Sequence, residues 1–195
     1  AAAIACWRVL AQGDRVGALV FDDHDLRVIP PHRSVDRVAQ ILNAVVEKNH
    51  ALKATSESAP NPGMLNQALK HVSALARHDC LVGLVSDGFG LDDDSRRYIT
   101  RLTEHNDVLA LYVFDPLERA IPEAGRLVFT DGSTQIEFNS AQRKLRDAWV
   151  SDFEKRLERM RDTSRRHDIP LLPVHTAAPV LEQLRAALGQ RWSGR

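Results

Sequence analysis

The chain is poor in the residues that would place it in several well-defined protein classes. It has only two cysteines, Cys6 and Cys80. They are too few for a disulfide scaffold and lack the paired spacing of a zinc site, so a reducing, cytoplasmic compartment is expected. Surplus charge is also missing. The 26 basic side chains balance 26 acidic ones, and the pI is near 7.3, which removes the electrostatic reason to expect nucleic acid or an anionic membrane as the main partner. No apolar run approaches the ~20 residues needed to cross a bilayer; stretches such as 16–21 and 108–114 are far shorter. No basic leader with a cleavage site opens the chain. The eight histidines show no His-x-x-x-His pair, no Gly-x-Ser-x-Gly elbow occurs, and Gly83, Gly88 and Gly90 are not followed by the Lys-Ser/Thr of a phosphate loop. Metallohydrolase, serine hydrolase and nucleotide-binding chemistry therefore lose their usual scaffolds.

What is there is globular: 195 residues, 44% hydrophobic and 27% charged. A chain of this size buries roughly two thirds of its surface on folding, and residues 1–195 are expected to form one domain. The first residues, Ala1 to Leu10, read as helix with Ile4, Trp7, Leu10 and Ala11 on one face. No methionine or capping residue precedes them, so the chain reads as a fragment. Continuous apolar runs at 15–21, 80–85 and 107–114 are the kind that make strands buried on both faces. Leu26–Ile29 follows the first of them as a hairpin partner ending at Pro30-Pro31. Amphipathic helices are expected from Ser34, from Asn61 or Pro62, and from Asp92-Asp93-Asp94, whose carboxylates suit a helix start. Residues 54–63 are the most loop-like stretch and read as a mobile loop. Residues 126–138 carry a strand-turn-strand pattern, expected as a protruding hairpin insertion. Residues 140–166 follow as a long helix with Leu145, Trp149, Phe153, Leu157 and Met160 on its inner stripe. A strand at 169–174 and a helix ending at Gly189 close the chain.

Strands alternating with helices imply an α/β fold: a doubly wound, mostly parallel sheet with helices on both faces and ligands bound beyond the strand ends. The strands at Val16, Leu81 and Val108 are expected to run side by side, so that their polar ends gather on one rim.

The run Gly13-Asp14-Arg15-Val16-Gly17, the later Leu84-Val85-Ser86-Asp87-Gly88, and above all Asp115-Pro116-Leu117-Glu118 with Ile121-Pro122, Gly125 and Thr130-Asp131-Gly132 together resemble one bacterial family. It is the domain-of-unknown-function 58 family, whose core is similar to a von Willebrand factor A domain. The resemblance implies a partner, a MoxR-type AAA ATPase or its client protein. It also implies that a first strand lies upstream of residue 1, between the strands at Val16 and Leu81, and carries an Asp-x-Ser-x-Ser metal motif. Of the other metal ligands of such domains, Asp87 matches the acidic one, while Met64 stands where a threonine is expected. Mg²⁺ prefers hard oxygen ligands, and a thioether is a poor substitute. Asp87 is thus the one candidate metal ligand, with Mg²⁺ the possible ion.

Local roles compete with these. Asp87-Gly88 is a good turn pair, and Asp115-Pro116 can fix the exit from a buried strand by bonding the backbone that follows. The carboxylates at 22, 23 and 25 splay around a tight turn, and the arginine-rich helix interleaves both signs as a solvated, salt-bridged face. The reading is a non-enzymatic protein-binding or adaptor module that uses Asp87, Gly88, Asp115, Pro116 and Glu118 as its partner-binding residues. The alternative is a metal-dependent hydrolase using Asp87 with carboxylates upstream of residue 1. Titration calorimetry with Mg²⁺ and Mn²⁺ separates the two.

Overall fold

The computed structural model describes residues 1–51, 60–130 and 135–192. In chain order the elements are α1 (Ala2–Ala11), β1 (Val16–Phe21), β2 (Leu26–His32), α2 (Val35–Ala51), α3 (Gly63–Leu75), β3 (Leu81–Ser86), α4 (Asp93–Thr103), β4 (Asp107–Phe114), α5 (Pro116–Arg119), β5 (Arg126–Thr130), β6 (Gln135–Asn139), α6 (Arg143–Arg166), β7 (Leu171–His175) and α7 (Val180–Trp192). The fold is α/β. A three-stranded parallel sheet, β3-β4-β7, has helices on both faces, beside two antiparallel pairs, β1-β2 and β5-β6.

The pleat explains the layering. Val82, Leu84 and Ala110 face α3 and α4 in a core with Leu65, Leu69, Ile99 and Leu102. Farther along, Tyr112 meets Phe153, Leu157 and Met160 of α6. The opposite face buries Leu111, Leu172 and Val174 under α7. A separate cluster packs α1 and α2 on β1 and β2 through Cys6, Ile29, Val38, Ile41 and Ala44. Ser34 caps α2 through Arg37 N–H as its sequence suggests, and the inner stripe of α6 is buried at Phe153, Leu157 and Met160. No helix among the described residues is long and apolar enough to cross a membrane.

Several expectations are corrected. β3 and β4 run parallel side by side, but among the described residues β1 pairs with β2 alone, in a sheet separate from theirs. A continuous apolar run signals burial; it does not say which strand lies alongside. The burial of β3 is also one-sided, with Leu81 68% and Val85 43% exposed. β2 runs through Pro30-Pro31 to His32, because the ladder slips between Val16 and Ala18 and the irregularity tolerates prolines without N–H donors. In α1 the buried side is Cys6, while Ile4 and Trp7 are exposed. α7 continues past Gly189. The hairpin strands β5 and β6 pair as expected, but its turn, residues 131–134, and residues 52–59 of the loop-like stretch lie outside the described residues.

The outer flanks of the β1-β2 pair and of the three-stranded sheet are blunted. β2 carries Pro30 and Pro31, and β7 carries Pro173 next to Pro170. At the end of β7, Gln183 replaces a neighbouring strand. Its Oε1 accepts from His175 N–H at 2.9 Å, and its amide donates to the His175 carbonyl at 2.9 Å.

Candidate functional site

Because β3 and β4 are parallel and in register from Leu81↔Asp107 to Ser86↔Tyr112, the loops that follow them emerge side by side. In the first loop, Asp87 Oδ1 accepts from Phe89 N–H at 3.0 Å and Ser86 Oγ from Gly88 N–H at 3.1 Å. The Asp87 carboxylate is exposed, and its second oxygen has no partner among the described residues. Neighbouring elements clasp the loop. A β-carbon at Gly88 would lie 2.8 Å from Met160 Sδ, and one at Gly90 would lie 2.1 Å from the Pro62 carbonyl oxygen. Phe89 is left 45% exposed between these two fixed points.

The second loop is built by Asp115-Pro116-Leu117-Glu118. Proline supplies no N–H and suits the first helical position, so α5 starts at Pro116 with Asp115 as its cap. Asp115 Oδ1 accepts from Leu117 N–H at 2.9 Å, and Glu118 Oε1 accepts from Asp115 N–H at 2.9 Å. Asp115 Oδ2 accepts from the Thr176 hydroxyl at 2.6 Å, tying the end of β4 to the end of β7. The Thr176 bond, followed by the Leu117 N–H, holds the Asp115 carboxyl below its ordinary range. Two bonds fasten α5 to α6: Glu118 Oε2 to Arg156 Nη1 at 3.3 Å, and Trp149 Nε1–H to the Leu117 carbonyl at 3.0 Å. Leu117 projects from this short helix, 54% exposed.

A chain of contacts extends the rim beyond β3. Asn61 N–H donates to Asp23 at 3.0 Å, Gly90 abuts Pro62, and the Asn66 amide bonds Asp92 at 3.0 Å. β1 therefore contributes its turn to this end of the molecule without joining the parallel sheet.

Beneath the two loops lies a buried irregularity. Tyr112 is 0% exposed, yet its hydroxyl has no hydrogen-bond partner among the described residues. Burial pushes its pKa up, opposed by the Arg156 charge and aided by those of Glu118 and Asp87. Arg156 Nε and His175 Nδ1, also buried, likewise have no hydrogen-bond partner among the described residues, although Arg156 Nε lies 3.6 Å from Asp152 Oδ2. An unsatisfied buried hydroxyl costs stability. Tyr112→Phe is accordingly expected to leave the unfolding free energy unchanged or to raise it by up to about 1 kcal/mol, read by urea denaturation; a clear loss of stability would show that the hydroxyl is satisfied internally.

A family model described as protein of unknown function DUF58 matches residues 1–171. The chain belongs to the DUF58 family. A solved structure, that of the conserved hypothetical protein BatB from Bacteroides thetaiotaomicron, is similar to this DUF58 chain at 13% identity and a TM-score of 0.49, over 98% of this chain and 85% of that one. No curated protein matches the chain. The family match does not depend on β1 lying beside β3 and β4, an arrangement the structure does not show.

The described residues of this DUF58 chain do not by themselves assemble a divalent-cation site. Met64, in the first turn of α3, is 5% exposed and offers a thioether where a hard oxygen is needed. Asp87 turns one oxygen into its own loop, and no group of three or more His, Cys, Asp or Glu among the described residues could hold a metal. Mg²⁺ keeps several waters but is held where oxygen ligands converge, and Asp87 has no second such ligand beside it among the described residues. The turn at 22–25 is closed on itself: Asp22 Oδ1 accepts from His24 N–H, and Lys48 pairs with Asp22 and Asp25.

Asp92 caps α4 through a capping box with Ser95. The Ser95 N–H foremost, against some burial, and then the Asn66 amide and the Ser95 hydroxyl hold its carboxyl below the ordinary range. A depressed folded-state pKa contributes stability above the unfolded value of about 3.9, and this is lost as pH falls through the folded one. Asp92→Ala should therefore cost about 1 kcal/mol at neutral pH, with the deficit shrinking as denaturation is repeated toward about pH 3. A pH-independent deficit would contradict the assignment.

The sequence singled out Asp87, Gly88, Asp115, Pro116 and Glu118, and the structure places all five in the two neighbouring loops. It did not single out Tyr112, Arg156 or Thr176. Tyr112 alone carried a signal, as the one hydroxyl in the otherwise apolar run Val108–Phe114.

Proposed function

We propose that this DUF58 chain is a non-enzymatic protein-binding module that acts with a MoxR-type AAA ATPase, in the cytoplasm, in the assembly or maturation of a client protein. The observation that carries the reading is the rim. Two loops on adjacent parallel strands are held by their own hydrogen bonds and by α3 and α6, and they hold up exposed apolar side chains, Phe89 and Leu117. Such preorganised anchors lose little entropy on association. The resemblance to the DUF58 family supplies the ATPase as partner, and the two unpaired cysteines supply the compartment. The carboxylates of the rim are bonded into their own loops instead of converging on a reacting centre, which favours binding over hydrolysis.

Capture of a MoxR-type AAA ATPase by the full-length protein tests this. Asp87→Ala and removal of residues 126–138 should each reduce the captured ATPase severalfold. Capture unchanged by both would place the contact elsewhere on the molecule.

A further inference from the structure

The hairpin β5-β6 is held by its base. None of its described side chains belongs to the four buried clusters, and a two-stranded ribbon by itself is marginal in water. At the base, Ser140 is 0% exposed and joins both arms. Its hydroxyl accepts from Ala124 N–H at 2.9 Å and donates to the Gly125 carbonyl at 2.8 Å, while its own N–H reaches the same carbonyl at 2.7 Å. From α6, Arg146 Nη1 donates to the Ser140 carbonyl, and Nη2 faces Glu123 Oε2 at 3.9 Å. Trp149, three residues farther along and therefore on the same side of α6, holds the Leu117 carbonyl of α5. Arg156, two turns beyond Trp149, reaches Glu118. A single stripe of α6 thus seats the hairpin base and the rim helix about one turn apart.

We propose that Ser140 and Arg146 are positioning residues that hold the hairpin as a fixed arm beside α5, so that a partner protein meets the hairpin and Leu117 together as one surface. The inference rests on the adaptor reading and names the residues that set the geometry of its contact. An arm already fixed loses less freedom on association than a loose one. Two contacts carried on one frame also reinforce each other, since the first places the second within reach.

Spin labels test it on the full-length protein, at Val128→Cys on β5 and Lys155→Cys on α6, with the exposed Cys80 changed to serine. Double electron–electron resonance should give one narrow distance distribution. Ser140→Ala and Arg146→Gln should each broaden it about twofold or more, because a ribbon without its base bonds has little else to orient it. Arg143→Gln, which breaks an ion pair within α6, should leave it unchanged, and circular dichroism checks that every variant is folded. A broad distribution in the parent chain, or a width indifferent to both base variants, overturns the proposal. In the ATPase capture, Ser140→Ala should weaken binding severalfold, and should add nothing once residues 126–138 are removed. Additive losses would mean that Ser140 acts by general destabilisation and would likewise overturn its positioning role. A narrow distance that the base variants broaden, with no ATPase captured, removes the ATPase and keeps the fixed arm. Capture that needs residues 126–138 but ignores both base variants keeps the ATPase and removes the positioning role.

Discussion

Gly90→Ala is expected to cost about 3 kcal/mol of folding stability, lowering the melting temperature by roughly 6–12 °C. Two effects add at this residue. Its φ of +80° lies in the left-handed region, where a side chain is strained. The added β-carbon would also meet backbone, 2.1 Å from the Pro62 oxygen and 2.9 Å from its carbon. Backbone cannot swing aside as a side-chain tip can, so the β3–α4 loop and the start of α3 must separate. Gly125 serves as an internal control. It has a similar φ of +75° but nothing within 4 Å of an added β-carbon, so Gly125→Ala should cost only about 1–2 kcal/mol. Thermal denaturation of the two variants side by side checks this, and equal losses would mean that the Pro62 contact is slack. The larger loss should come with weaker ATPase capture, since Phe89 sits in the loop that is displaced.

Phe153→Ala should cost about 3–5 kcal/mol. The ring is 1% exposed, with centroids 5.3 Å from Phe114 and 6.3 Å from Tyr112. It is the central contact between α6 and the end of the parallel sheet, flanked by Leu157 and Met160. Its removal loses the transfer free energy and leaves a cavity whose walls are anchored to different elements, so collapse is partial. Arg156 lies three residues along the same helix, and its bond to Glu118 holds α5. Urea denaturation should show the loss, and near-UV circular dichroism should show a weakened aromatic signal from the native protein. Phe153→Leu, which refills most of the volume, should recover a large part of the stability. If both variants were equally destabilised, the cavity account would fail.

How much of this was legible in the sequence depended on how far apart the interacting residues lie along it. Asp87-Gly88 and Asp115-Pro116-x-Glu118 follow local rules, since each carboxylate bonds backbone two residues ahead and Glu118 reaches back three. Ser34, Asn61 and Asp92 announced their helices in the same way, and the stripe of Phe153, Leu157 and Met160 announced the buried side of α6. Contacts across the fold left no such trace. Thr176 reaches Asp115 over 61 residues and Arg156 reaches Glu118 over 38, and no periodicity encodes such meetings. The side of α1 was misjudged because Ile4 and Trp7 are the larger apolar groups, yet the helix turns the smaller Cys6 inward. β1 has the hairpin partner its sequence suggested, but its expected place beside β3 and β4 did not follow, because strand pairing is a property of topology rather than of composition.

The amide clamp of Gln183 and the prolines of β2 and β7 have a consequence for how the molecule can be joined to others. Strand-by-strand annealing needs a rung of open donors, and on those two flanks the rungs are occupied or deleted. An association that involves them must work through side chains, and the loops where Asp87 and Asp115 stand offer those in a fixed arrangement.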